Sequence, residues 1–212
     1  MNMHTFRRTA LAMTAVVLLP LALSACSEES TSNEGAAAPD AVSSPEPVGE
    51  IGAGADAPFG PACALVPKSG AGSFDGMAQD PVATAASNNP ALSTLVAAVK
   101  KAGLVDTLNN AQDITVFAPT NDAFAKIPKA DLDKVLADKE ALTALLTYHV
   151  VGEKLTPTQL AGGSFQTLQK GMITTKGSGT SYTVNNSAKV VCGDVPTANA
   201  TVHIVDTVLM PK

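Results

Sequence analysis

The chain has 212 residues, of which 45% are hydrophobic and only 4% aromatic, and it contains no Trp. This length suits one ordinary domain with additional segments or two small domains, and the hydrophobic fraction is sufficient for a core. The formal net charge is −5, and the sequence shows no basic patch of the kind that neutralises phosphates, which excludes a nucleic-acid-binding protein.

Charge is unevenly distributed along the chain. Arg7 and Arg8 are the only arginines, and every charged residue between Ser27 and Gly60 is acidic. Residues 61–212, in contrast, carry twelve lysines and twelve acidic residues. The net negative charge therefore belongs to the segment that precedes residue 61.

Residues 1–25 have the layout of a lipoprotein signal peptide. Arg7 and Arg8 precede an apolar stretch, residues 9–23, that is too short to span a bilayer comfortably. The segment L-S-A-C at positions 23–26 resembles the bacterial lipobox, whose cysteine is diacylated and becomes the new N-terminus. We therefore predict acylation, of the palmitate type, at Cys26 and a stable membrane anchor. The alternative is plain secretion, with Cys26 lost or left free.

Residues 26–60 are predicted to form a tether behind the lipidated cysteine. The segment is rich in Ser, Ala, Gly, Pro and Glu, so few of its residues could bury apolar surface and repay the entropy of ordering. A coil of this length has a root-mean-square reach of roughly 30–35 Å, and its like charges extend it. Such a tether would hold a folded domain, residues 61–212, away from the membrane.

Cys63 and Cys192 remain as an even pair if Cys26 carries lipid. In an exported, oxidising compartment an even pair favours a disulfide, and we predict one that links the start of the domain to a strand near its end. Two buried free thiols are the alternative. A catalytic thiol is disfavoured because neither cysteine has a histidine nearby in sequence.

Helix signals dominate the first half of the predicted domain. Capping residues, two of them followed by Pro, mark helix starts, and Gly103 marks the end of the second helix. A short strand is predicted over residues 113–118, ended by Pro119. The predicted helix starts are, in chain order, Asp80, Asn89, Thr120, Asp131 and Asp138.

Strand signals dominate the second half, after Tyr148. Short alternating runs are separated by glycine-containing turns. The predicted strands are residues 165–168, 172–175, 182–184, 189–192 and 201–209. Helices followed by strands favour an α+β fold.

Three segments resemble the signature segments of the fasciclin (FAS1) domain family. They are T-V-F-A-P-T-N-D-A-F at 115–124, Tyr148-His149, and T-V-H-I-V-D-T-V-L-M-P at 201–211. The resemblance extends over roughly residues 75–211 and is closest to the fasciclin-domain surface lipoproteins and secreted antigens of mycobacteria and related actinobacteria. It implies a single fasciclin-like domain, a β-sandwich wedge with a helical layer, and an adhesion-type role.

Two pairs of residues are adhesion candidates on the strength of this resemblance. The region of Tyr148 and His149 is implicated in adhesion in the family. Asp194 lies nine residues before His203, and Asp194-Val195 occupies the place where animal matrix members carry an integrin-contacting acidic and aliphatic pair. We expect both residues in a loop before the final strands. A plain turn is the alternative for the second pair.

No catalytic, metal or cofactor site is predicted. His149 and His203 lie in apolar runs, which favours core residues, and no spacing typical of zinc ligands occurs. A hydrolase nucleophile elbow, G-x-S-x-G, is also absent from the sequence. Asn185 and Asn199 begin glycosylation sequons, which in a bacterial protein are usually idle. The chain is therefore not expected to be an enzyme.

We expect an exported protein, anchored to the cell membrane and displayed at the surface, or also shed or secreted. Its monomeric domain would bind extracellular, matrix or cell-surface proteins through weak contacts that gain strength from many copies. Contacts should be weak because residues 61–212 lack the Trp and Arg typical of interface hot spots. The alternatives are a carrier of a small apolar ligand between helices and sheet, and a structural envelope protein.

Overall fold

The computed structural model describes residues 57–211. The predicted signal peptide, the acylation of Cys26 and the tether as far as residue 56 lie outside the described residues, so they stay predictions. Within the described range, no helical segment combines the length and apolar character needed to span a bilayer.

Helices form most of the first half of the described chain. Short 3₁₀ turns at Pro61–Leu65 and Pro90–Leu92 accompany them. The α-helices are α1 (Phe74–Gln79), α2 (Val82–Ser87), α3 (Ser93–Ala102), α4 (Val105–Asn110), α5 (Asn121–Ala125), α6 (Lys129–Ala137), α7 (Lys139–Tyr148) and α8 (Pro157–Leu160).

Three of the predicted caps are confirmed. The side chains of Asn89, Thr120 and Asp138 each accept hydrogen bonds from backbone N–H groups two or three residues later. Gly103 ends α3 with a φ of 76°, the left-handed conformation that glycine adopts without strain. These signals are local, which is why the sequence contains them.

Two of the predicted caps are wrong. Asp80 follows the end of α1, and its carboxylate accepts a hydrogen bond from the Asn88 side chain rather than from the start of α2. Asp131 lies inside the first turn of α6, which begins after Pro128. In both places a proline precedes the helix directly, so no side-chain cap is made.

Seven strands form one connected sheet. Its strand order is β2-β1-β7-β6-β5-β4-β3, in which only β1 and β7 pair in parallel. The last strand of the chain is shorter than the predicted range 201–209, and the strand before it is longer than the predicted range 189–192. The strands are β1 (Ile114–Pro119), β2 (Val150–Val151), β3 (Gly162–Gln166), β4 (Met172–Ser178), β5 (Ser181–Val184), β6 (Ala188–Pro196) and β7 (Ala200–Val205).

The central strands β1 and β7 are buried along their whole length. Successive side chains point to opposite faces, and the two faces belong to different apolar clusters. Val116 and Val202 pack with the helices, whereas Phe117 and Val205 pack against β3, β4 and β5. The two ends of the sheet therefore enclose one core while the helical layer covers the other. The predicted α+β fasciclin-like architecture is confirmed.

The fold begins before the predicted boundary at residue 61. Phe59 exchanges two backbone hydrogen bonds with Gly193, and its ring lies 5.2 Å from that of Tyr182. β5 pairs with β6 only at Ala188 and Lys189, so Phe59 covers the part of β6 that β5 leaves open.

Candidate functional site

Tyr148 joins the end of α7 to the strands. Its hydroxyl donates to the Met172 carbonyl oxygen at 2.9 Å and accepts from Asn185 Nδ2 at 3.0 Å. Asn185 in turn accepts from the Thr174 backbone N–H at 2.9 Å. Tyr148 is 3% exposed, so its hydroxyl is the polar end of a largely buried ring.

A polar cleft of about 210 Å³ lies above the Tyr148 side chain. Its walls are amides, two hydroxyls and a thioether, contributed by the end of α7, the turn before β4, β4 itself and the turn after β5. The lining residues are Tyr148, Gln169, Gly171, Met172, Thr174, Asn185 and Asn186. Gly171 is needed for this shape, because a Cβ atom there would come within 2.8 Å of the Tyr148 ring.

His149 is buried and links α7 to the C-terminal segment by hydrogen bonds. Its Nδ1 donates to the Leu145 carbonyl oxygen at 2.8 Å, and its Nε2 accepts from the Leu209 N–H at 2.9 Å. Burial lowers the pKa of His149 to about 4, and the bond to Leu145 offsets this only in part. The ring is therefore neutral at physiological pH and both nitrogens are used.

Asp194 and Val195 do not lie in a loop. Both belong to β6 and are buried, at 7% and 1% exposure. The register of β6 against β7 shifts on either side of Cys192, and Asp194 adopts a φ of 52°, which Asp tolerates better than most residues. The predicted loop placement is wrong because this irregularity keeps an apparent turn sequence within the strand.

His203 lies beneath this irregular segment. Its Nδ1 accepts the Asp194 backbone N–H at 3.2 Å, while among the described residues Nε2 has no hydrogen-bond partner. The side chain is fully buried, and burial lowers its pKa to about 4. His203 is therefore a neutral core residue, as is His149.

Cys63 and Cys192 form a disulfide across 129 residues. The bond joins the 3₁₀ turn at the start of the domain to β6, one residue before Gly193. That turn contains no buried residue, and the disulfide and the Phe59 pairing both attach the N-terminal end of the fold to the sheet.

Asn199, the first residue of a glycosylation sequon, has a structural role in the fold. It is 7% exposed, and its Nδ2 donates to the carbonyl oxygens of Leu108 and Ala111 while Oδ1 accepts from the Val82 N–H. Asn185 is likewise engaged with Tyr148 and Thr174. Both amides already serve the fold, and neither position shows a local sequence signal for that role.

The sheet half that carries the cleft is positively charged. Between Glu153 and Asp194 the sequence holds four lysines and no acidic residue, and all four lysines are exposed. Register places Lys176, Thr183 and Lys189 in one row across β4, β5 and β6. Among residues 57–211 no cluster of three or more His, Cys, Asp or Glu residues is arranged to hold a metal ion.

Comparisons with known proteins agree with this architecture. The fasciclin domain family model matches residues 90–211. Immunogenic protein MPB70 of Mycobacterium bovis is 48% identical over 179 residues, which cover 81% of this chain and 88% of that protein. Cell surface glycolipoprotein MPB83 of the same species is 52% identical over 147 residues, which cover 67% of this chain and 66% of that protein.

A solved structure shows the same fold. A FAS1 domain pair from the insect cell adhesion molecule fasciclin I is 20% identical, with a TM-score of 0.52 over 64% of this chain. This chain spans about half of that pair, 52%, and at such identity the likeness concerns the fold alone. The family match and the two mycobacterial relatives confirm the resemblance, and the chain belongs to the fasciclin domain family.

Proposed function

We propose that this chain is an exported lipoprotein, anchored through Cys26, whose fasciclin domain mediates adhesion or surface recognition by multivalent contacts. The observation that carries the proposal is the similarity, across the whole domain, to proteins described as an immunogenic protein and a cell surface glycolipoprotein. The acidic segment before residue 57 would hold the domain away from the membrane.

We assign the contact to the polar cleft above Tyr148. Of the four candidate residues, only Tyr148 lines this cleft. His149, Asp194 and Val195 are buried, so they would influence binding through the shape of the domain. Hydrogen bonds within the domain hold the side-chain amide of Asn185 in place. The side-chain amides of Gln169 and Asn186 make no such bond among the described residues, which leaves both amides available to a partner.

The chemistry of the cleft fits an extracellular or cell-surface protein that offers polar and acidic groups. Amides and hydroxyls pair with polar groups of either sign, and the surrounding lysines favour a negatively charged partner. Each contact would be weak, because the described domain lacks the Trp and Arg side chains that dominate tight interfaces. Dense display on a surface would compensate for this weakness.

The histidines support a binding role rather than catalysis. A hydrolytic triad needs a histidine that takes a proton from a neighbouring nucleophile. His149 is bonded at both nitrogens to backbone groups, and His203 accepts a backbone N–H. Within residues 57–211 neither ring makes a hydrogen bond to a hydroxyl or thiol group, and we propose that the protein is not an enzyme.

Multivalent binding has a direct test with the mature chain, residues 26–212, carrying Cys26→Ser so that it is soluble without lipid. Beads densely coated with this protein should bind matrix proteins, animal cells or envelope fractions at least about a hundredfold more strongly than the free monomer. Bound protein is measured by fluorescence at increasing salt, which should weaken binding because exposed lysines are screened.

Equal affinity of beads and monomer would contradict the multivalent mechanism. Absence of bead binding to every surface would contradict adhesion itself. Beads coated with a heat-unfolded sample serve as the control for nonspecific adsorption.

A further inference from the structure

A second cavity lies between the helical layer and the sheet and shares no lining residue with the cleft above Tyr148. Its walls come from α2, α3 and α4 on one side and from β1 and β7 on the other. No Asp, Glu, Lys or Arg side chain lines it, and its only histidine, His149, has both nitrogens bonded within the fold. The interior therefore offers a ligand apolar contacts and no ionic partner.

The helical wall of this cavity adjoins solvent. Val96, Leu104 and Leu108 line the cavity and remain half-buried, whereas Ser87 and Thr107 beside them are exposed. Apolar side chains that a fold leaves partly open beside a cavity are a common feature of ligand sites. The exposed hydroxyls of Ser87 and Thr107 place hydrogen-bonding groups at the solvent side of the cavity.

The helix α4 is the most loosely packed part of this wall. It contains no buried residue. Val105 and Leu108 pack only partly buried against the core. Its side-chain hydrogen bonds to the rest of the fold lie at its C-terminal end, where Asn199 donates to the Leu108 and Ala111 carbonyl oxygens and Asn109 accepts the Ala83 N–H. An element with few buried apolar contacts opens locally at a low free energy, so α4 can admit a ligand without unfolding of the domain.

The size of the cavity restricts the ligand. Its volume is about 60 Å³, and at about 10–15 Å³ for each water-sized group it holds roughly four to six such groups. An engineered apolar cavity that binds benzene is larger, at about 150 Å³. An unbranched chain of about five carbons therefore fits, whereas an aromatic ring requires the walls to move.

We propose that this cavity binds the end of a single unbranched aliphatic chain, with the polar head of the ligand at the Ser87 and Thr107 side. Apolar burial supplies the affinity, and the lining supplies no means of fixing a charged group inside. This activity is separate from adhesion, since no residue lines both this cavity and the cleft above Tyr148.

The test uses the mature chain with Cys26→Ser and straight-chain alcohols as probes. Methyl resonances of Val96, Leu104 and Leu108 should shift saturably on titration with 1-hexanol. Affinity should rise about fourfold for each methylene group from 1-butanol to 1-hexanol and then level off at 1-octanol, because the cavity is full. Benzyl alcohol should bind more weakly than 1-hexanol.

Substitution of a lining residue provides the matched comparison. Ala86→Leu places three extra carbon atoms at the cavity wall and should weaken 1-hexanol binding about tenfold. Ala97→Leu makes the same change at an exposed position of α3 that does not line the cavity, and should bind as the parent does. Should Ala86→Leu fail to fold, Val96→Leu takes its place; it adds one carbon atom at the cavity wall and should weaken 1-hexanol binding about fourfold.

The proposal is overturned by an absence of saturable shifts at these methyl groups up to the solubility limit of the alcohols. It is also overturned by a folded Ala86→Leu or Val96→Leu variant that binds 1-hexanol as tightly as the parent. Neither result bears on adhesion, which is read out in the separate bead assay.

Discussion

The free energy of unfolding should fall by about 4 kcal/mol between pH 7.5 and pH 5, and by about 6 kcal/mol at pH 4. The cause is the burial of His149 and His203, which lowers both pKa values from 6.5 to about 4. Since small domains are stable by only about 5–15 kcal/mol, this loss is large enough to approach unfolding at the acidic end.

The direction follows from proton binding. Between pH 6.5 and pH 4 the unfolded chain protonates both histidines while the native fold keeps them neutral, so stability rises with pH across this window. Partial burial raises the pKa of Asp206, but hydrogen bonds from Lys189, Thr207 and Lys126 lower it by more than burial raises it. The pKa therefore lies below its usual value of 3.8. The stabilisation from that carboxylate is therefore fully present across the histidine window, and it is lost only as the pH falls below that window.

Urea unfolding of the mature chain with Cys26→Ser at several pH values measures this dependence. His149→Gln should remove about half of the pH dependence, because glutamine can make both hydrogen bonds of His149 without titrating. Stability that is constant from pH 7.5 to pH 5 would refute the prediction, as would ring proton resonances of His149 or His203 that titrate near pH 6.5.

Removal of the disulfide should destabilise the domain by about 5 kcal/mol on the chain-entropy model, given its closed loop of 129 residues. For a domain of this size the midpoint of thermal unfolding should fall by roughly 10–20 °C. The physical reason is that the bond restricts the unfolded chain and, in the native fold, attaches a turn that buries no residue of its own.

Cys63→Ser combined with Cys192→Ser tests this by calorimetry, and reduction of the parent protein should reproduce the same shift. Ala64→Ser is the control, because it introduces serine at an exposed neighbouring position. A midpoint within about 2 °C of the parent after reduction would show that the bond adds little to stability.

Local signals explain what the sequence revealed about the fold. A capping residue acts on N–H groups two or three positions away, so Asn89, Thr120 and Asp138 could be identified without knowledge of the tertiary structure. The disulfide was also predictable, because two cysteines in an exported domain allow only one pairing. The helix α4, by contrast, has no side-chain cap, and no local signal in the sequence indicates where it begins.

Long-range pairing explains what the sequence did not reveal about the site. Asp194-Val195-Pro196 has the composition of a turn, and only its pairing with β7 and the bond to His203 keep it within β6. Asn199 bonds to Ala111 across 88 residues, and Asn185 bonds to Tyr148 across 37. No pattern of neighbouring residues predicts such partners.

The same limit applies to the two cavities. The pattern of apolar residues does not show whether the side chains of a helix and a facing strand fill the space between them. The cleft above Tyr148 depends on two turns that meet only after β4 and β5 pair. Its lining residues therefore lay outside the candidates, apart from Tyr148.

Binding by a variant that lacks the two cleft amides decides whether this domain recognises surfaces through the cleft above Tyr148. Gln169→Ala combined with Asn186→Gly removes both side chains, and glycine preserves the φ of 55° at position 186. Gln166→Ala is the matched control on β3, outside the cleft. The proposal predicts that beads carrying the double variant bind about tenfold or more weakly than the parent, since each lost hydrogen bond contributes about 1 kcal/mol. Full binding by the double variant, or an equal loss in the control, would contradict it.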